Sequence, residues 1–179
     1  MHIPHHSTRT IQKVIKAANI LSIPVHATEQ MPSRLGPTIP ELAALLPTPA
    51  IPKTTFSMLG AAELAQRLAA DADADGRPWT VAVVGIEAHV CVAQTARDLR
   101  AAGHCAHVLA DGVGSCNDGE VRVALSRLRA EHVAVSSSEA FLYEVMRDAA
   151  IPEFRQVLAV VREAGPDTAA AARRMMALL

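Results

Sequence analysis

The chain has 179 residues, 50% of them hydrophobic, a formal charge of −1 at neutral pH and 3% aromatics. This suffices for one domain-sized core of Ala, Val, Leu and Ile, and argues against nucleic-acid binding, because there is no basic excess and few rings for bases to stack on. Three cysteines, Cys91, Cys105 and Cys116, show neither zinc-ligand spacing nor the framework of a small secreted domain, which points to a reducing compartment.

In chain order, Ser7, Thr8, Arg9, Thr10, Lys13 and Lys16, with no acidic residue before Glu29, have the composition of a mitochondrial transit segment. Ile11, Val14, Ile15, Ala18 and Leu21 equally describe the apolar stripe of an amphipathic helix over about 8–22 that packs on a sheet. The latter is the preferred reading, so the expected location is cytoplasmic, with mitochondrial as the alternative. A strand at Ile23–Thr28 leads into a loop punctuated by Pro32, Pro37, Pro40, Pro47, Pro49 and Pro52, which carries Lys53 just before a helix over about 60–70. Asp71–Gly76 reads as a turn and linker, because it lacks the closing glutamate of a calcium loop. Strand 79–85, helix 91–102, strand 105–110, helix 118–130, strand 132–135 and helix 138–149 follow. After Gly165-Pro166 comes an Ala-rich helix ending in Met175, Met176, Leu178 and Leu179. The expected organisation is one domain over 1–164 and a helical tail over 165–179. The βα alternation predicts a three-layer αβα, Rossmann-like α/β fold with a parallel sheet covered on both faces. No apolar run is long enough to span a bilayer, and the N-terminus lacks the apolar centre of a secretory signal.

Ligands of such sheets bind beyond the carboxyl ends of the strands. That rule gathers Thr28, Glu29 and Gln30 after one strand, Glu87, Ala88, His89, Val90 and Cys91 after another, then Asp111–Ser115 and Ser136–Glu139. Cys91 is expected in the first turn of a helix, where unpaired N–H groups and the macrodipole stabilise a thiolate and offer donors to an oxyanion. A lysine held nearby adds direct charge attraction, and Lys53 can reach that rim. The bland alternatives are a small buried apolar residue for Cys91 and a solvated loop residue for Lys53. Asp111 is expected as a turn or capping residue and Ser137 or Ser138 as a helix N-cap. Eight histidines, His26 and His89 among them, are scattered without a ligand pattern, so no catalytic metal and no cofactor are expected.

Lys53-Thr54-Thr55-Phe56-Ser57 followed by Gly85-Ile86-Glu87-Ala88-His89-Val90-Cys91 resembles the isochorismatase-like hydrolase superfamily, in particular the small isochorismatase domain-containing proteins. The likeness continues, in order, through Thr28-Glu29-Gln30, Leu35-Gly36-Pro37-Thr38, Asp111-Gly112-Val113-Gly114-Ser115, Ser137-Ser138-Glu139 and Pro152-Glu153-Phe154. It implies a cysteine hydrolase acting on a C–N bond of a small metabolite, with Cys91 as nucleophile and Lys53 as its activating lysine. It also implies a homo-oligomer and a non-proline cis peptide near Ile86-Glu87. The family's third catalytic group is an aspartate at the end of a first, central strand, and this sequence has no such strand. The expectation is that Met1 is internal to a longer natural protein, or else that the chain is a divergent member. Without the aspartate, proton transfer loses a contribution of roughly 10²–10⁴-fold. The rival readings are a catalytically impaired interaction or regulatory module on the same fold, and, more weakly, a redox sensor built on Cys91 and Cys116.

Overall fold

The computed structural model describes residues 5–70, 77–167, 169, 170 and 173. Its helices are α1 (His5–Ile20), α2 (Pro32–Leu35), α3 (Pro40–Ala43), α4 (Ala62–Ala70), α5 (Ala93–Ala101), α6 (Asp118–Ala130), α7 (Ser138–Met146) and α8 (Phe154–Glu163). Its strands are β1 (Thr28–Gln30), β2 (Ile51–Lys53), β3 (Thr80–Gly85), β4 (Cys105–Val113) and β5 (Ala134–Ser136), and every pairing between them is parallel. A 3₁₀ turn at Met58–Gly60 precedes α4, and a π turn at Ala88–Val92 precedes α5.

β4 is the centre of the molecule, and its period-two alternation sorts the layers. Ala106, Val108 and Ala110 enter one core with Ala96 and Leu99 of α5 and Val121, Leu125 and Leu128 of α6. On the opposite face His107 meets Phe141 of α7, with ring centroids 5.4 Å apart, and Asp111 meets Lys13 of α1 and Ser138 of α7. Behind that face Ala17, Leu142, Met146, Val157 and Val161 join α1, α7 and α8. This is the three-layer αβα arrangement expected from the alternation. Each fully buried Leu or Val in these layers contributes about 1.5–3 kcal/mol relative to exposure.

The sheet is divided. Among the described residues β1 pairs with β2, and β3 with β4 and then β5, in two separate ladders. The two parts are joined by side chains: Ile11 and Ile15 of α1, Leu42, Val25 and Ile39 pack with Val84 of β3. Thr95 of α5 adds a polar link, its Oγ1 accepting from Met58 N at 3.0 Å. β3 is as β-branched and apolar as a central strand, yet of its six residues only Val83 is fully buried, whereas β4 is buried from Val108 to Val113. A strand in the middle of a covered parallel sheet is buried on both faces; β3 has a hydrogen-bonded neighbour on one side.

Several elements differ from expectation, each for a long-range reason. Residues 23–27 are not strand, and β1 starts at Thr28, because its one partner begins at Ile51 and Pro24 has no N–H to give. Lys53 is the last residue of a strand and not a loop residue; Pro52 is tolerated because β2 is an edge. β4 runs three residues beyond the expected end. A register irregularity between Val83 and Gly85 lets it continue to Val113, and Gly112 is required there: a Cβ would lie 2.8 Å from Val84 Cγ1. The strand expected over 132–135 is observed at Ala134–Ser136, and the helix expected to reach 149 ends at Met146, followed by Arg147 with φ of 58°. α2, α3 and α8 were not anticipated. The linker at 71–76 and most of the tail, including Met175, Met176, Leu178 and Leu179, lie outside the described residues. Gly165-Pro166-Asp167 is helical.

α1 holds a surprise of a different kind. Ser7, Thr10 and Lys13, spaced along one helix face, are all at most 2% exposed. Ser7 Oγ donates to Val113 O at 3.3 Å, and Lys13 Nζ lies 3.9 Å from Asp111 Oδ2. Asp111 also accepts from Ser138 N at 2.8 Å and from Ser138 Oγ, while Ser137 Oγ caps α7 by accepting from Ala140 N. Ser137 is therefore the N-cap that was expected, whereas Asp111 stands within β4, in place of a turn, and reaches the start of α7 from there. The basic residue that resembled a transit segment is the centre of a buried polar network. Burial pulls the Lys13 ammonium below the ordinary lysine value, with Asp111 and then Glu139 opposing. Among the described residues no helix is long and apolar enough to cross a membrane.

Candidate active site

Two strand ends converge on Cys91. From one side comes the turn after β3. Its peptide Ile86-Glu87 is cis, as the family resemblance implied. The turn is laced to the residues after β4: Gly114 N donates to Gly85 O at 3.2 Å, Ala88 N donates to Gly114 O at 2.8 Å and approaches Ser115 Oγ at 3.1 Å, and Cys116 N donates to Glu87 Oε2 at 2.8 Å. His89 Nδ1 lies 3.0 Å from Ser115 Oγ and 3.9 Å from Glu87 Oε2. Cys91 follows within a π turn and not in the first turn of an α-helix, so the expected placement is corrected. Val90 N and Val92 N both donate to Glu87 O at 3.1 Å, the latter closing the wider i→i−5 ring. Single π turns of this kind recur at functional sites. Cys91 is partly exposed, while Ala88 and Val92 beside it are buried.

From the other side comes the end of β2. Lys53 is 9% exposed and its ammonium is fully engaged: Nζ donates to Gln30 Oε1 at 2.6 Å, Thr55 O at 2.8 Å and Phe56 O at 2.9 Å. An ammonium has three N–H donors, so all are used, and all on neutral oxygens. Burial lowers the Lys53 ammonium below its ordinary value, and attraction to Cys91 works in the opposite direction.

The β1 residues grouped with the site divide by task. Thr28 pairs in register with Ile51. Glu29 turns away to hold the next loop, its Oε2 accepting from Thr38 N at 2.7 Å and Thr38 Oγ1 at 3.0 Å. Gln30, in register with Lys53, uses both ends of its amide, since Nε2 donates to Thr54 O at 2.6 Å. Sequence reasoning missed this tie between Gln30 and Lys53, and likewise the pairing of His89 with Ser115. The parallel register that aligns Gln30 with Lys53 is not written in either segment. Among the described residues no group of three His, Cys, Asp or Glu side chains is placed to hold a metal. Cys105 lies in β4 as expected but is exposed, and Cys116 is exposed in the loop after it.

Comparison with known proteins places this geometry in a family. The model of the isochorismatase domain matches residues 5–140. Isochorismatase domain-containing protein 2 of Bos taurus is 39% identical over 158 residues, covering 87% of this chain and 73% of that protein. Among solved structures, MAR1 ribonuclease from Caenorhabditis elegans superposes with a TM-score of 0.79 at 34% identity, over 87% of this chain and 78% of that one. YcaC of Escherichia coli, described as an octameric hydrolase of unknown specificity, shares the fold with a TM-score of 0.76 at 20% identity, over 98% of this chain and 82% of that one. With the domain model matched over residues 5–140 and the Bos taurus relative 39% identical over 87% of the chain, the chain belongs to the isochorismatase-like hydrolase family.

Proposed function

We propose that the protein is a cysteine hydrolase that cleaves an amide-type C–N bond of a small metabolite. The observation that carries this reading is the buried Lys53 ammonium, held at the end of β2 by three neutral oxygens that add no opposing charge. Lys53 supplies positive charge for the attacking sulfur, and Cys91 attacks the carbonyl carbon. In this reading backbone N–H groups of the turn from Glu87 to Cys91 hold the oxyanion, with those of Ala88 and Val90 already spent on Gly114 O and Glu87 O. The C–N bond breaks with a proton going to the leaving ammonia or amine, and water then releases the acid from the thioester. In the family pattern an aspartate carries that proton, and its strand would belong between β1 and β3, where the two ladders are separate. No metal or cofactor is invoked. We further propose action as a homo-oligomer in the cytoplasm.

The second reading to be separated from it is a catalytically impaired member that serves as an interaction module. The experiment is ammonia release from a panel of small primary amides, with Cys91→Ala as control and mass spectrometry for a thioester at Cys91. Release that Cys91→Ala abolishes supports the hydrolase; no release and no adduct leaves the module. The name of the C. elegans relative makes short RNA a necessary member of the panel. RNA cleavage would overturn the small-molecule assignment, which rests on a net charge of −1 and scarce aromatics.

A further inference from the structure

We infer that Gln30 is a positioning residue that controls the reactivity of Cys91 through Lys53. This rests on the Lys53–Cys91 reading above. Three acceptors hold the Lys53 ammonium, and two of them, Thr55 O and Phe56 O, are main-chain carbonyls of the loop that follows. Gln30 Oε1, at 2.6 Å, is the one side-chain acceptor. It is therefore the one that a substitution can change in charge while the backbone stays as it is.

The orientation of the Gln30 amide is set. Nε2 donates to Thr54 O at 2.6 Å, and exchanging the two ends would put an NH₂ against the ammonium and an oxygen against a carbonyl. Both bonds follow from the parallel register, which places Gln30 beside Lys53 at the ends of β1 and β2. A neutral amide at this place does two things at once. It satisfies a donor of a buried cation, which would otherwise be costly to leave unmade. It also adds no negative charge, so the field of the ammonium is left for the sulfur. A glutamate would accept from Lys53 and cancel that field, while giving up the bond to Thr54 O; Gln30→Met gives up both bonds without adding charge.

The other charged groups on the elements around the π turn have their own partners or positions. Glu87 accepts from Cys116 N, His89 lies against Ser115, Asp111 is tied to Ser138 and Lys13, and Arg97 of α5 pairs with Glu131 at 3.1 Å. Asp98 and Arg100 are also on α5, and Asp118 and Glu120 open α6. Of all these, the charge attraction on Lys53 comes from Cys91.

The test is the rate of iodoacetamide alkylation at Cys91 in the full chain, read on the Cys91 peptide by mass spectrometry from pH 5 to 10. Parent, Gln30→Glu, Gln30→Met, Lys53→Met and Gln30→Met/Lys53→Met are compared, with circular dichroism and melting to show that each is folded. Gln30→Glu is expected to slow alkylation at pH 7 about 10-fold and move the half-maximal pH upward, as the loss of one nearby charge does. Gln30→Met should slow it as well, and should add nothing when Lys53 is already Met. Folded Gln30→Glu and Gln30→Met proteins with the parent's pH profile, while Lys53→Met slows alkylation, would overturn the role of Gln30 and leave the Lys53 reading intact. A parent profile in Lys53→Met would overturn both. If Gln30→Glu fails to fold, Gln30→Met and its double variant decide by the same profile.

Discussion

Replacing Asp111 by alanine tests whether the polar network under β4 holds the molecule together. Asp111 is 3% exposed, accepts two bonds from Ser138 and neutralises Lys13, which is itself 2% exposed. The alanine leaves Ser138 N and Oγ without this acceptor and strips the buried ammonium of its carboxylate. An unsatisfied buried donor costs about 1–3 kcal/mol, and breaking a buried ion pair from one side about 3–5 kcal/mol. The two overlap because one carboxylate serves both, so the expected loss is about 3–5 kcal/mol. In a domain of this size each kcal/mol moves Tm by about 2–4 °C, which predicts a fall of roughly 6–20 °C. Lys13→Met should cost less, since Asp111 keeps its two bonds from Ser138. The double variant should recover about 1–3 kcal/mol relative to the sum of the single changes. The deficit of Asp111→Ala should also narrow as pH is raised, because a buried lysine that has lost its nearest carboxylate escapes part of the penalty by losing its proton. Thermal melts of the four proteins at pH 7 and pH 9.5 decide the matter. A Tm within 2 °C of the parent for Asp111→Ala, or simple additivity of the pair, would refute the network as a stability element.

Other consequences follow from the same geometry. Lys53→Met should lower kcat/KM for any amide substrate by about 10–10³-fold, the effect of losing one charge near the thiolate, with a smaller effect on an unrelated property such as Tm. Because burial lowers the ammonium of both Lys53 and Lys13, the folded state binds fewer protons than the unfolded one at alkaline pH. Stability against urea should therefore rise from neutral pH toward 10.5, where the unfolded lysines also discharge. A flat or falling curve over that window would contradict the burial of these two charges. Gly60→Ala places a Cβ 2.4 Å from Thr55 Oγ1 and 2.7 Å from Thr55 Cβ, so the loop that gives Thr55 O to Lys53 must move. The expectation is a loss of about 1–3 kcal/mol together with slower alkylation of Cys91, both partly restored by Thr55→Gly, which removes the three crowding atoms, if the lost room is the cause.

Much of the fold was legible because its signals are local. The apolar stripe of α1, the β-branched run of β3 and the capping serine of α7 depend on residues within a few positions of one another, and they stand where the sequence placed them. Cys91 and Lys53 stood out because a thiol after an apolar strand and a cation in a stiff segment suggest chemistry by residue type alone, and the structure sets them at the π turn after β3 and the end of β2. What the sequence could not decide depended on partners far along the chain. Lys53 reads as a loop residue until β1 lies parallel to β2 and makes a strand of it; Lys13 reads as a surface base until Asp111, nearly a hundred residues away, gives its charge a place inside. Gln30 gains a task only through that register, and the π turn at Cys91 only through its bonds to the residues after β4. Periodicity tells each segment which element to form, but the hydrogen-bonded neighbour of a strand, and the company in which a charge can be buried, are settled when distant segments meet.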